Sequence, residues 1–359
     1  MSKETTRLSL DCKIRGKIMV RIGIVGAGKI CQGPHMGAYD KIDNVEIVAI
    51  CDINGTRLEE AKKRYPNATL YKDYKEMIEK EELDAVDICT PNNFHSIVAI
   101  YALEHGINVL TEKPDAINAS EALKMMEAAE KSGKTLMAIR NNRYRQSTQF
   151  LKKYIAEGKM GEIYAGRCGW IRRRGIPGWG GWFTDKAQSG GGPLIDLGVH
   201  IIDLAMYLMG NAKPVTVSGC TYSKFPHTSY SKTDVEDLAM GFIRFDNGAC
   251  LQIEFSWASN IENDQIFVEL RGEKSGSKLL GIENRFEIYT EECGTLATLK
   301  PNTDDYRGLN HHEGNIRHFI DVIEGKAEPD FTPIQGVNMV KILEALYKSA
   351  ELGHEIALD

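Results

Sequence analysis

Short apolar runs and helically periodic stretches take turns along roughly the first 140 residues. VRIGIVG (20–26), VEIVAICD (45–52), DAVDICTP (84–91), INVLTEKP (107–114) and TLMAIRNN (135–142) read as strands. Between them, a helix opens within Lys29–Tyr39, and TRLEEAKKRY, SIVAIYALEHG and ALKMMEAAEKSG carry helical periodicity. Apolar runs without polar alternation suit a parallel sheet covered on both faces. Strand and helix in alternation predict a doubly wound α/β domain.

Beyond residue 160 the pattern changes. EIYAGRCGWI, PVTVSGCTYS, EDLAMGFIRF, GACLQIEFSWA, DQIFVELRG and RFEIYTEE combine β-propensity with partial alternation, and turns such as Asp246-Asn247-Gly248 join them. They predict a mostly antiparallel sheet with one packed face. VNMVKILEALYKSAELG closes the chain as a helix. The division falls near residue 141 with no Pro/Ser-rich linker, so the two parts should pack closely. The expected organisation is a floppy extension over 1–18, a nucleotide-binding domain over 19–141 and a substrate and oligomerisation domain over 142–359.

Composition narrows the classes. A chain of 359 residues exceeds the size at which single cores stop growing, about 250–300 residues. A net charge of −6, with Lys and Arg scattered, argues against nucleic acid as a partner. No apolar run reaches the length of a bilayer span, so no membrane role is expected. The first 18 residues lack the apolar stretch of a signal peptide, and Met19 is an equally good start. The eight cysteines show no CxxC spacing, and Cys51 and Cys89 sit inside apolar strands. A reducing cytoplasm fits them best.

The chemistry begins at VRIGIVGAGKICQGPH. Strand, Gly26-Ala27-Gly28 and helix follow in the order of a dinucleotide fingerprint, with Cys31 where the third glycine usually stands. Gly26 permits the tight turn, and Gly28 lets backbone approach a pyrophosphate drawn to the helix N-terminus. Small Cys31 can stand in for a residue needed mainly for helix–strand packing. Asp52, ending the second strand, is placed for ribose hydroxyls and would repel a 2′-phosphate, which favours NAD over NADP; Arg57 lies nearby. Thr90-Pro91-Asn92 and Thr111-Glu112-Lys113-Pro114 end strands at the same carboxyl edge, where such folds bind ligands. Lys113 there is a candidate proton-transfer group.

In the second half, SGGGPLIDLGVHIIDLAMYLMG (189–210) predicts a buried helix, with Pro193 in its first turn. Asp196, His200 and Asp203 at i, i+4 and i+7 draw one polar stripe along it. One reading is a satisfied Asp–His hydrogen bond in a core; the other is a general acid–base pair, with Asp203 structural. No third element offers zinc-ligand spacing, so no metal is expected. WIRRRGIPGWGGWF (170–183) reads as a loop over the substrate, with Arg174 and Trp179 as contacts, or else as an interface. His311-His312-Glu313 reads as a helix cap.

Together, GAGKI, the CD closing the second strand, TPNNFH, EKP and GGGPLIDLGVHIID resemble the Gfo/Idh/MocA oxidoreductases, with NNRY between the domains. The resemblance runs from residue 19 to the C-terminus. It implies an NAD(P)-binding Rossmann domain, then an α/β domain with an open, mostly antiparallel sheet that mediates dimers or tetramers. It implies Lys113 as catalytic lysine with Asp196 and His200 completing a triad. Lys29 and Ile30 would belong to the cofactor loop, and Thr90, Pro91, Asn92, His95 and Glu112 would line the nicotinamide half. Asn141 would stand at the domain junction, Tyr144 would reach substrate, and Lys113–Pro114 would be cis. Cys31 and a one-residue displacement of His35 depart from the family pattern.

The expected reaction is hydride transfer between NAD and a secondary alcohol of a sugar, glycoside or cyclitol. Either Lys113 or His200 would move the hydroxyl proton, Lys113 being the better base if positive neighbours depress its proton affinity. One alternative oxidises a glycoside transiently at its 3-position with tightly bound NAD and returns the hydride. Another is a nicotinamide-binding sensor without catalysis, which would not need all three polar residues.

Overall fold

The computed structural model describes residues 19–177, 181–225, 233–281, 285–303 and 311–358. Among the described residues, β1 (Val20–Val25), β2 (Val45–Cys51), β3 (Thr69–Tyr71), β4 (Ala85–Ile88), β5 (Asn108–Thr111) and β6 (Leu136–Ala138) form one parallel sheet. Its order is β3-β2-β1-β4-β5-β6, so the chain reverses direction across the sheet between β1 and β4. A crevice opens there at the carboxyl ends, the ligand site of doubly wound folds. The helices are α1 (Met36–Tyr39), α2 (Gly55–Arg64), α3 (Tyr74–Lys80), α4 (His95–Glu104) and α5 (Ala119–Ser132). The sequence pattern did not bring out β3 or α3: three half-exposed residues and a two-turn helix carry too little periodicity.

α6 (Gln146–Ala156) leads into the second sheet. Its strands are β7 (Ile163–Ile171), β8 (Pro214–Tyr222), β9 (Leu238–Phe245), β10 (Cys250–Ser256), β11 (Gln265–Gly272), β12 (Gly276–Leu280), β13 (Arg285–Glu292), β14 (Thr295–Leu299) and β15 (Ile356–Ala357). The order is β14-β13-β12-β11-β7-β10-β9-β8-β15, antiparallel except for the β7–β10 pair. α7 (Lys186–Ser189) and α8 (Val199–Leu208) follow β7, and α8 covers one face of this sheet with Phe255 and Trp257 beneath it. The other face leaves Tyr164, Met240 and Tyr289 exposed.

Lys186–Leu208 is long and apolar enough to cross a membrane, but 89% of that window is buried in the protein. It is a core element, as its all-round apolar character predicts.

α9 (His311–Ile323) and α10 (Pro333–Leu352) return to the first sheet. Phe319 and Ile320 of α9 join the core beside β1 and β2. α10 presents Val337 and Val340 to the core shared with α5, and Met339 and Leu343 to the core of the second sheet. One helix therefore locks both sheets. The described cysteines form no disulfides.

Candidate active site

β1 delivers the chain to Gly26, whose φ is 96°. An added Cβ would stand 2.6 Å from the Cys89 carbonyl oxygen, so only glycine fits this turn. At Gly28 an added Cβ would meet nothing within 4 Å: the backbone borders open space, as a phosphate cradle requires. Lys29 and Ile30 are exposed beside it, and Cys31 is fully buried in the core. The expected helix opens at Lys29 and Ile30 and runs straight into a π-helical turn, Cys31–His35, containing Pro34. A π turn holds one residue more than an α turn. It thus absorbs the displacement of His35 and points that side chain inward.

Asp52 supports the loop from the end of β2. Its Oδ2 accepts the Ala27 N–H at 2.8 Å, and its Oδ1 accepts that of Asn54 at 2.8 Å. Arg57 Nη1 lies 3.8 Å from Oδ2. Asn54 caps α2 by accepting from Thr56 and Arg57.

The ends of β4 and β5 form the next wall. Asn92 Nδ2 donates to the Ser189 carbonyl across the domain junction at 2.7 Å, behind the turn that starts with Pro91. His95 is fully buried, with Nδ1 2.7 Å from the Pro114 carbonyl and Nε2 3.0 Å from that of Thr90. Burial lowers its proton affinity, so the ring is neutral and its one N–H donates to one of these two carbonyls. The role of His95 here is to tie two strand ends together. The Lys113–Pro114 bond is cis.

Thr90 Oγ1, Asn93 Oδ1 and Asn141 Oδ1 are buried side-chain oxygens without a hydrogen-bond partner. Such groups are costly unless something completes them. With the open space at Gly28 and the acid at the end of β2, they fit a bound dinucleotide. Sequence reasoning missed Asn93, although it adjoins the strand end that was singled out.

Lys113 meets the second domain at this point. Its Nζ donates to Asp196 Oδ1 at 2.9 Å and to the Asp196 carbonyl at 3.1 Å. Both side chains keep a little exposure, 17% and 15%, so the pair opens into the crevice. Asp196 Oδ2 accepts the indole N–H of Trp257 at 3.0 Å. Trp257 lies in FSWAS, which has no spacing that would flag it.

The expected Asp196–His200 pairing is not what forms: among the described residues no hydrogen bond joins the two side chains. Leu194–Gly198 is a second π-helical turn, which breaks the i, i+4 register that the stripe assumed. His200 instead packs near Trp170, with ring centroids 6.2 Å apart. Burial and then the Lys113 charge press its proton affinity well below the ordinary histidine value, so the ring is neutral. The hydrogen-bonded neighbour of Lys113 is an anion, Asp196, which does not supply the positive charge that favouring Lys113 as base would need. Asp203 pairs with Arg140 and Arg143 in the core, a structural use.

The segment around Arg172–Arg174 is anchored by its own arginines. Arg174 donates to the Ser259 carbonyl at 2.8 Å and to Asn260 Oδ1 at 2.9 Å, and stacks over Phe225. The guanidinium expected to reach substrate is thus a tether. Arg172 lies over the Trp170 ring, 5.0 Å from its centroid, which places it on the His200 side. Trp179 lies outside the described residues, as does the 1–18 extension. Tyr144 packs against Gly314 and His318 on α9 rather than beside Lys113.

Burial also pushes His311 and His312 down to about 4. The unfolded chain takes up protons at these residues and at His200 below about pH 6.5, whereas the native chain resists. Melting temperature should therefore fall as pH drops from about 7 to 5. His35, whose proton affinity is raised, acts oppositely: its contribution is complete below about pH 6.5 and is lost as pH rises from there through its raised value. Calorimetry across this range checks the slope, and His312→Gln should flatten it; an unchanged slope in that variant would count against the assignment.

Two family profiles match the chain. One, described as "Oxidoreductase family, NAD-binding Rossmann fold", matches residues 20–139, and the other, the "GFO/IDH/MocA C-terminal domain", matches 148–292. The chain belongs to the Gfo/Idh/MocA oxidoreductase family. Among Gfo/Idh/MocA relatives, D-glucoside 3-dehydrogenase of Escherichia coli K12 is 35% identical over 351 residues, covering 94% of this chain and 97% of the relative. Myo-inositol 2-dehydrogenase of Thermotoga maritima is 28% identical over 276 residues, 77% of this chain and 79% of its own. Levoglucosan dehydrogenase solved with NADH superposes with a TM-score of 0.84 at 23% identity, covering 95% of this chain and 99% of that one. This Gfo/Idh/MocA chain therefore carries an NAD-binding Rossmann domain, and it is an oxidoreductase acting on alcohol carbons.

Proposed function

We propose that this oxidoreductase moves hydride between NAD and a secondary hydroxyl of a sugar, glycoside or cyclitol, with D-glucosides the first class to test. The observation that supports it most is the Lys113–Asp196 pair beside neutral His200, at the carboxyl edge that also presents Gly28 and Asp52. The 35% relative is named for oxidation at the 3-position of D-glucosides, which motivates the choice of substrate.

Gly26, Gly28, Lys29 and Ile30 would hold the pyrophosphate side, Asp52 and Arg57 the ribose. Thr90, Pro91, Asn92, Asn93, Glu112 and Asn141 would line the nicotinamide side. When bound, NAD supplies the hydride acceptor. Neutral His200 accepts the hydroxyl proton as the C–H bond breaks. Lys113, held by Asp196, donates to the same oxygen and stabilises the negative charge that develops there. The reverse reaction returns the proton from His200 to the alkoxide.

The test is formation of reduced nicotinamide by purified protein given NAD and a panel of glucosides, levoglucosan and inositols. A signal with one class supports the reading. Silence across the panel, with nucleotide released on denaturation, would favour redox-neutral glycoside chemistry instead. Cofactor choice has its own check. Asp52→Ser removes the acid that repels a 2′-phosphate and leaves Arg57 free to bind one, so the preference for NAD over NADP should fall by about 10-fold or more. An unchanged ratio of kcat/KM values would remove Asp52 from that role.

We further propose a division into domains at residues 19–141 and 142–359, a cytoplasmic location, and a homo-oligomer joined through the open sheet face. Exposed Tyr164, Met240 and Tyr289 support the last point. Light scattering of the wild type and of Tyr164→Glu tests it; a monomeric wild type would end the idea.

A further inference from the structure

Behind the Lys113 turn lies a buried charged group that the proposed chemistry does not touch. His35, fully buried, places Nδ1 2.8 Å from Asp87 Oδ2 and Nε2 2.8 Å from Glu112 Oε1. Burial opposes a charge on this ring, but the two carboxylates outweigh it and raise its proton affinity well above the ordinary value. Each nitrogen then carries a proton and donates to a carboxylate.

The surrounding groups are accounted for. The Tyr39 hydroxyl donates to Asp87 Oδ2 at 3.0 Å, and Cys89 Sγ lies 3.5 Å from Nδ1. His312, from α9, brings Nε2 to 3.9 Å from Glu112 Oε1, and burial keeps it neutral. The imidazolium is the cation that balances this pair of buried acids.

Glu112 does not end the chain of contacts. Its second oxygen accepts the backbone N–H of Lys113 at 3.0 Å. A continuous path therefore runs from His35 Nε2–H through the Glu112 carboxylate to the Lys113 backbone, and from Lys113 Nζ to Asp196. The inward turn of His35 depends on the π turn over Cys31–His35. The sequence feature that departs from the family pattern is thus the one that builds this path.

We propose that His35 is a positioning residue of the hydride-transfer site: by donating Nε2–H to Glu112 it fixes the carboxylate that holds the Lys113 backbone, and so sets where Lys113 Nζ meets the substrate oxygen. The inference rests on the functional reading above in treating Lys113 as catalytic. Small errors in such placement cost about 100-fold in rate, so support at one remove matters.

Two substitutions separate positioning from mere packing. His35→Gln places an amide N–H near the position of Nε2 and retains donation to Glu112. His35→Asn places one near Nδ1, serves Asp87, and leaves Glu112 without its donor. In His35→Asn, kcat should fall by about 10- to 100-fold with little change in KM for NAD. His35→Gln should stay within about 3-fold of wild type. Hydrogen exchange at the Lys113 amide should quicken in His35→Asn and not in His35→Gln, which reads the path without turnover. In wild-type protein with labelled histidine, NMR should find His35 Nε2 protonated near neutral pH, a measurement that needs no variant to fold.

Equal loss of kcat in both variants, unchanged Lys113 exchange in His35→Asn, or an unprotonated Nε2 would each overturn the proposal. If wild-type protein oxidises no sugar, the functional reading fails instead, and exchange and NMR still decide whether His35 positions Lys113.

Discussion

Lys113→Ala should lower kcat by about 1,000-fold while leaving the NAD dissociation constant within a few-fold of wild type. The ammonium stands at the end of β5, bonded at 2.9 Å to Asp196 of the other domain, where a substrate oxygen would meet nicotinamide. Its loss removes the donor to the developing alkoxide, an interaction strongest in the transition state, so the defect belongs in kcat rather than in binding. The cofactor keeps its own supports, because the open space at Gly28 and the carboxylate of Asp52 are untouched. Steady-state rates on the best substrate of the panel, with a fluorescence titration of NAD, separate the two effects. Retention of kcat within about 10-fold would take Lys113 out of the chemistry. Asp196→Asn should cost less, because it weakens the hold on Lys113 without deleting the ammonium.

The legibility of this site in the sequence follows from the length scale of each interaction. The fingerprint glycines, Asp52 and Lys113 are set by strand ends, and strand ends show as the close of an apolar run. Their places in the structure agree with the reading. Asp196 and His200 are legible as residues but not as a pair, because the π turn over Leu194–Gly198 changes the helical register and a sequence carries no plain sign of a π turn. The partners that matter most lie far along the chain: Trp257 on Asp196, Glu112 on His35 and Ser189 on Asn92. Composition drew attention to the arginine-rich loop but could not say that Arg174 would be used up on Ser259 and Asn260. His312 read as a cap, yet it faces Glu112 because α9 folds back onto the first sheet. Periodicity fixed the layers, and long-range polar pairing fixed the site.

That pairing carries the second large effect. Arg140 and Arg143, on the segment between the two sheets, both reach Asp203 of α8 and are almost wholly buried. Arg143 donates Nε to Asp203 Oδ2 at 2.9 Å and Nη2 to Oδ1 at 2.6 Å, and Arg140 donates Nε to Oδ1 at 3.1 Å. Asp115, one residue after Pro114, also pairs with Arg140. Both guanidinium groups lie over Phe331. One carboxylate thus serves two buried cations and joins the catalytic strand end to α8, the helix that carries His200. Asp203→Ala leaves Arg140 with Asp115 and Arg143 with the neighbouring Asp330 as their remaining acids, a change that costs about 3–5 kcal/mol when a buried ion pair loses one partner. In a chain of this size that should lower the melting temperature by roughly 10 °C. Because the pair is buried, added salt should recover little of the loss, unlike a surface bridge. Calorimetry at low and high salt decides it. A loss below about 1 kcal/mol, or one erased by salt, would mean that water reaches Arg140 and Arg143 and that the junction is held by its apolar contacts alone.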